Sequence, residues 1–395
     1  VKTEVTDLVS RSQQLWGRLV EWRRDFHRYP ELSFREKRTS EKIIRKLESL
    51  KVFDVHKNVG GYGIIATVRH GEGPTIGIRA DMDALPVIES SSVPWTSLNP
   101  GVMHACGHDA HMSILLGVAH LLAEDVTSCR VKGTVKLIFQ PAEESCDELG
   151  ETGATKMLKS GHLDDLDHVL ALHMCPWRRT GELQWNDGLS MANNDEFHLE
   201  IQGSGGHAGY PHHVNDPVWI ATYILQSLYS LNGRKVDPLD IGTISVGQIH
   251  AGDATNVIPD LVEIKGTMRS YKEEVRELLV KEIHQIAKIV TALGGDYTLQ
   301  INQGEPALLN DPKVNEIIKE AASGLKFHEG PFGMGSEDFS HFTRRFPGAM
   351  FFLGCGLDKE KSLHQSDFDI DERSLPHGVR ILLHSAYLMM ERGGR

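Results

Sequence analysis

Three apolar runs in this chain each stop at a residue able to hold a cation, and that repetition narrows the folds open to it. The run through Ile78-Arg79-Ala80 ends in Asp81 and Asp83, Val135 to Gln140 stops before Pro141-Ala142-Glu143-Glu144, and Val169-Leu170-Ala171-Leu172 ends on His173. Short apolar runs of this kind read as strands buried on both faces. In open α/β sheets the functional groups lie beyond the carboxyl ends of such strands, so packing alone explains the coincidence poorly. A further segment, Met103-His104-Ala105-Cys106-Gly107-His108-Asp109, brings a thiol, two imidazoles and a carboxylate together around one glycine. Gly107 lets the backbone turn in ways closed to other residues, and thiolate with imidazole suits zinc-like divalent ions. On the residues alone, a small buried cysteine in a polar turn is the alternative.

The rest of the chain divides by pattern. Helical spacing of Leu8, Val9, Leu15, Trp16, Leu19 and Trp22 predicts one helix from Val5 to Phe26, and a second is expected from Glu36 to Leu50. Strands at Ile64 to Arg69 and Thr75 to Ala80, a helix from Ala110 to Glu124, and strands near Val135 and Val169 make an α/β layer architecture. From 188 to 301 the order becomes strand (Phe197 to Ile201), helix (Pro217 to Leu231), two strands (Gly242 to Ile249, Leu261 to Met268), helix (Glu273 to Leu293) and strand (Tyr297 to Ile301). That is the β-α-β-β-α-β, ferredoxin-like unit. A helix after Asn310-Asp311-Pro312 and another from Ser374 to Glu391 return the chain to its first pattern, so residues 1-187 and 302-395 are expected to form one domain around an insertion at 188-301.

Composition sets outer bounds. A chain of 395 residues has room for two cores. With 42 basic against 54 acidic residues, a net charge of -12 and no basic stripe, nucleic acid and anionic membrane are poor partners. No apolar run reaches the roughly 18 residues that span a bilayer, and the polar, amphipathic first residues do not make a secretory signal. Five cysteines at irregular spacing argue against a disulfide framework and for a reducing cytoplasm. Of these, Cys175 is expected to pack, Cys146 to be exposed, and Cys129 and Cys355 lie in no motif.

Taken together, His27-Arg28-Tyr29-Pro30-Glu31-Leu32-Ser33, Arg79 to Pro86, Met103 to His111, Gln140 to Glu144, Gly206 to His212, Asn256-Val257-Ile258-Pro259, Gly335 to Ser340 and Phe368 to Glu372 resemble, in order and almost end to end, the M20 metallopeptidase and amidohydrolase family. The likeness is to its N-acyl-L-amino-acid amidohydrolases, hippurate hydrolases and auxin-conjugate hydrolases. The resemblance implies a mixed-sheet catalytic domain of the metallopeptidase type with an inserted ferredoxin-like α+β lid or dimerisation domain. It implies two divalent metal ions per subunit, zinc, manganese or cobalt. Cys106 would be the bridging ligand, with His108, Glu144, His173 and His364 completing the set, and Asp81 and Asp83 would orient ligands from behind. It assigns the general base to Glu143 and an oxyanion donor to His207, and it implies a homodimer or higher homo-oligomer. Arg269 is the best candidate for a substrate carboxylate, because a guanidinium clasps one bidentately; Asn256 and His212 are weaker candidates for substrate contact.

The substrate implied is a small N-acyl amino acid, with a metallocarboxypeptidase acting on short or N-blocked peptides as the near alternative. The absence of a Gly-x-Ser-x-Gly elbow speaks against a covalent acyl-enzyme. An intact Glu143 speaks against a catalytically silent metal-binding scaffold, and the lack of a basic cluster near the ligands against a dinuclear phosphohydrolase. Two departures from the family pattern, the long segment from Ser145 to Thr152 and the missing proline after His364, bear on the pocket rim rather than on the chemistry.

Overall fold

The computed structural model describes residues 2–127, 132–359 and 361–393, so Cys129 lies outside the described residues. The chain forms two compact units: Val1–Gly188, Leu309–Phe332 and Asp338–Arg395 make the first, Leu189–Leu308 and Gly333–Glu337 the second. Among the described residues no helix is long and apolar enough to cross a membrane.

The first unit is built on an eight-stranded mixed sheet in the order Asp54–Val59, Gly63–His70, Gly133–Gln140, Thr75–Asp81, His168–Arg179, Gly348–Gly356, Glu182–Trp185, Lys326–Glu329. Its four central strands run parallel to one another. Two of them, Thr75–Asp81 and Gly133–Gln140, are buried along their whole length, which is why they read as mainly apolar runs rather than alternating ones, each broken by one cation, Arg79 and Lys136. Parallel strands share a carboxyl edge, and this edge gathers Asp81, the Pro141-Ala142-Glu143-Glu144 turn and the chain beyond His173. Gly63–His70 and Glu182–Trp185 pair antiparallel on either side. The helix His108–Thr127 packs against Leu375–Gly393 and Trp16–Arg28. Its Met112, Leu115, Val118 and Leu122 join Leu19, Val379 and Leu382 in one core, each such side chain contributing about 1.5–3 kcal/mol on burial.

The expected single helix from Val5 to Phe26 is two, Lys2–Gln14 and Trp16–Arg28. At the junction the Leu15 carbonyl accepts from the N–H groups of both Arg18, at 2.9 Å, and Leu19, at 3.0 Å, and the buried positions Leu8, Ser12, Leu15, Leu19, Arg23 and Phe26 keep one helical spacing across it. Leu15 lies on that buried stripe, whereas Trp16 and Val9, expected on it, sit beside it and are 42 % and 46 % exposed. The helix Pro312–Ala321 starts where its Asp-Pro signal places it: Asp311 accepts from the N–H groups of Lys313 and Val314, and Pro312 occupies the first turn. Cys106, Cys175 and Cys355 are buried free thiols and Cys146 is an exposed one.

The second unit has a four-stranded antiparallel sheet in the order Gly242–Ala251, Leu261–Ser270, Asp195–Gln202, Asp296–Gln303. The helices Pro217–Arg234 and Glu273–Ala292 pack on it, burying Ile220, Ile224, Leu279 and Ile283 against Phe197, Leu199, Ile201 and Ile264. Alternation of buried and open residues along Asp195–Gln202 follows from that one covered face.

Candidate metal centre

Gly107 has a φ of +91°, and a Cβ there would meet the Met174 side chain at 3.1 Å, so both the turn and its packing require glycine. The turn presents Cys106 on one side and, on the other, His108 at the start of its helix. His173 Nε2 and His364 Nε2 each stand 3.4 Å from Cys106 Sγ. Glu144 Oε1 lies 3.7 Å from His364 Nε2 and 3.8 Å from His108 Nε2, and Glu143 Oε2 is 3.9 Å from His108 Nε2. Donors bound tetrahedrally to one zinc-sized ion are about 3.6 Å apart, and these separations bracket that value. Cys106 belongs to two groups of this kind, one with His108 and His173, the other with Glu144 and His364. Ala142, just before Glu143, and His364 both adopt a positive φ, +47° and +64°. Such backbone costs a non-glycine residue about 1–3 kcal/mol and clusters at functional sites.

Hydrogen bonds settle which ring nitrogens face the cluster. His108 Nδ1 donates to the Asp83 carbonyl at 2.9 Å and His173 Nδ1 to the Met174 carbonyl at 2.8 Å. A carbonyl only accepts, so Nδ1 carries the proton and the neutral ring turns a bare Nε2 inward. His108 Nε2 and Glu144 Oε1 are buried with no hydrogen-bond partner, an arrangement interiors rarely tolerate. Electrostatics point the same way. Burial pushes the Cys106 thiol well above its usual range, and Glu144, Glu143 and Asp81 push it further. Burial, with Asp83, lifts Glu144 to about 7 against the pull of His108. Burial opposes charge on His108, but Asp81, Asp83 and Glu144 outweigh it and raise the imidazole to about 10. Burial, then His111, lowers His173 to about 3. The carboxylates thus demand positive charge, and beyond Arg79, which pairs with Asp81, the raised His108 is the group that answers it. Cys106, His108, Glu144, His173 and His364 would hold a divalent ion there, and its charge would favour a neutral imidazole at His108 and a thiolate at Cys106. The donor set therefore fits a divalent metal.

Residues 77–387 match the family model described as peptidase family M20/M25/M40. The chain belongs to this family. It is 36 % identical to the N-acetyl-L-cysteine deacetylase of Bacillus subtilis, over 94 % of this chain and 88 % of that protein. It is 37 % identical to thermostable carboxypeptidase 1 of Saccharolobus solfataricus, over 91 % of this chain and 92 % of that one. The crystal structure of the Bacillus subtilis YXEP protein, described as a dinuclear metal-binding peptidase of the M20 family, superposes with a TM-score of 0.83 at 31 % identity, covering 96 % of this chain and 99 % of that one. This M20 chain is accordingly a hydrolytic enzyme of mixed α/β fold.

Behind the cluster, Asp81 accepts from His111 Nδ1 at 2.6 Å and from Arg79 at 2.7 Å, while Asp83 accepts from the Ser33 hydroxyl at 2.6 Å and the Glu144 N–H at 3.0 Å. Sequence reasoning gave no role to His111, Arg79, Gln140 or Asp338. His111 Nε2 accepts the Met174 N–H at 2.9 Å, so the peptide unit that receives His173 Nδ1 is flanked by an Asp81-backed histidine. Arg79 also donates to Asp338 at 2.7 Å and to Gln140 Oε1 at 2.9 Å, tying together two strand ends. The available signal was an arginine inside a wholly apolar run.

The remaining candidates lie in the second unit. His207 sits in a two-residue strand paired with Val257–Ile258, and the Ala208 N–H donates to the Asn256 carbonyl at 3.0 Å. His207 Nδ1 accepts from the Gly209 N–H at 2.9 Å, which assigns the ring proton of the neutral form to Nε2. Arg269 is half-buried and donates to the Met334 carbonyl at 2.8 Å; burial lowers its pKa, opposed by Glu196. His212 is exposed, its ring 4.1 Å from that of His213.

Proposed function

We propose that this M20 enzyme hydrolyses the amide bond of N-acyl-L-amino acids, using two divalent metal ions and releasing a carboxylate and a free amino acid. The observation that carries the reading is Cys106, one thiol 3.4 Å from the imidazoles of both His173 and His364 and common to two ligand groups. In this reading Cys106 bridges, and His108, Glu144, His173 and His364 complete the two sets, with zinc, manganese and cobalt all chemically suited. Bound there, the ions supply Lewis acidity that acidifies water and polarises a carbonyl. Glu143 takes the proton of the attacking water and passes it to the leaving nitrogen. His207 donates through Nε2–H to the developing oxyanion. Arg269 clasps the α-carboxylate, with Asn256 and His212 as further contacts. The inserted segment 188-301 acts as a lid and dimerisation domain, and the chain works as a homodimer or higher homo-oligomer.

Carboxypeptidase action on short or N-blocked peptides is the second reading, favoured by the likeness to the Saccharolobus solfataricus carboxypeptidase. The test gives metal-reconstituted protein a panel of N-acetyl, N-benzoyl and indole-acetyl amino acids beside blocked peptides with the same C-terminal residues. Faster turnover of the acyl amino acids supports the first reading and turnover of peptides alone the second. Metal-loaded protein that hydrolyses neither would sink both.

A further inference from the structure

A row of three side chains crosses the first unit's sheet beside the metal centre. Phe352 aligns with His173 on one neighbouring strand and with Gln184 on the other. The His173 and Phe352 rings stack, centroids 5.0 Å apart and planes at 21°. Trp177 and Phe332 flank Phe352 at centroid distances of 5.5 and 4.1 Å. Gln184 is buried and holds both flanks: its Oε1 accepts from Trp177 Nε1 at 3.0 Å, and its Nε2 donates to the carbonyls of Gly330 at 3.3 Å and Pro331 at 3.1 Å, the residues that lead into Phe332. Arg178 shares the same Oε1 at 3.3 Å. A tryptophan placed for packing alone buries its ring, yet Trp177 is 41 % exposed while its N–H is tied down. Phe332 is partly exposed and Phe352 is buried behind them. An aromatic surface fixed in advance loses little entropy when something settles on it.

We propose that Trp177 and Phe332, backed by Phe352 and positioned by Gln184, receive the acyl group of the substrate, and that the enzyme favours aromatic acyl groups over acetyl. The inference rests on the N-acyl amino acid reading above. The acyl substituent is bonded directly to the carbonyl under attack and so stays next to the metal ligands, of which His173 is in ring contact with this wall. The amino-acid half carries a carboxylate, for which the faces of Trp177 and Phe332 offer no donor, the indole N–H being already used.

The test compares N-benzoyl-alanine, N-acetyl-alanine and N-acetyl-phenylalanine as substrates of the metal-loaded enzyme and of its Trp177→Ala, Phe332→Ala and Trp177→Phe variants. In the alanine variants kcat/KM for N-benzoyl-alanine falls about 10-fold or more, as for lost pocket contacts, and that for N-acetyl-alanine falls less than about 3-fold, with metal content unchanged. Trp177→Phe, which keeps a ring, recovers most of the loss. Parallel losses on benzoyl and acetyl substrates, no loss on either, or a loss confined to N-acetyl-phenylalanine would each overturn the proposal. If the wild-type enzyme turns over none of the three, the amidohydrolase reading fails, and binding of N-benzoyl-alanine to metal-loaded Glu143→Gln protein judges the wall by itself. Binding weakened by Trp177→Ala supports it, and unchanged binding overturns it.

Discussion

His108 and Asp109 are adjacent in the chain and belong to two buried charge clusters built on opposite plans. Asp109 Oδ2 accepts from Arg23 Nε at 2.8 Å and pairs with His27 Nδ1 at 2.7 Å; Arg23 also reaches Asp369 at 2.8 Å and Glu372 at 3.3 Å, and His27 reaches Glu89 at 3.3 Å. Burial opposes the charge on Asp109, but Arg23 and His27 outweigh it and hold the carboxyl well below its usual range. In that cluster each charge meets its counter-charge inside the protein. Around His108 stand the carboxylates of Asp81, Asp83, Glu143 and Glu144, of which Asp81 is also paired with Arg79, and His108 Nε2 and Glu144 Oε1 have no hydrogen-bond partner. The ion pairs of the first cluster close among its own side chains and act as scaffold. An open one is a binding site, because folding alone leaves it incomplete.

The largest effect expected from this contrast is on stability. Arg23→Met removes the cation shared by Asp109, Asp369 and Glu372, leaving Asp109 to His27 alone, and is expected to cost about 3–5 kcal/mol, read as a fall in the urea midpoint, while the protein that remains folded keeps its metal. Normal stability with lost metal would break the distinction. Next comes Glu143→Gln in the open cluster, which lowers kcat about 10²-fold or more without changing metal content by elemental analysis; near wild-type turnover would remove Glu143 as the base. His111→Leu sharpens the boundary between the two, since it deprives the Met174 N–H of its acceptor and so loosens His173. It is expected to weaken metal binding about 10–100-fold in competition with a chromophoric chelator, and an unchanged affinity would move His111 into the scaffold.

The smallest effect is the pH dependence of the closed cluster. Burial disfavours charge on His27, but the bond to Asp109 and its charge prevail and raise its pKa above the ordinary value. A raised histidine contributes fully below its unfolded pKa near ~6.5 and loses that contribution as pH rises through the folded value, whereas the depressed Asp109 contributes above about 3.9 and loses it as pH falls through its own. The cluster is therefore strongest between these limits. Metal-free His27→Gln protein should differ more from wild type in unfolding free energy at pH 5.5 than at pH 8.5, and an equal difference at both would show that His27 does not titrate with folding.

Legibility differed between the two clusters for a physical reason. Asp81 ends one strand and the Glu143-Glu144 pair follows another, Cys106 and His108 flank one tight turn, and His173 closes an apolar run inside a longer strand, so these residues fall at the limits of apolar runs, where sequence pattern is most readable. The closed cluster depends on Arg23, which sits within an amphipathic helix where a charge is ordinarily read as solvent-facing. Its partners lie 86, 346 and 349 residues away, and no local pattern announces them. Trp16 and Val9 failed for a simpler reason, since each follows a buried residue and so sits about 100° round the helix, at the edge of the covered face.

Residue chemistry and short spacings were thus properties of the sequence by itself: a thiol and an imidazole around Gly107, two neighbouring carboxylates at Glu143 and Glu144, a buried strand ending at Asp81; the apolar run up to His173 was legible too, but the strand it belongs to continues to Arg179. Only the tertiary structure decided which imidazole nitrogens turn inward, which aspartates stand behind them, that Gln184 holds two aromatic rings beside His173, and that Asp109 serves the scaffold while His108 faces the cluster. Those outcomes depend on backbone carbonyls and side chains supplied by distant segments, and their positions exist only once the strands have paired and the helices have packed.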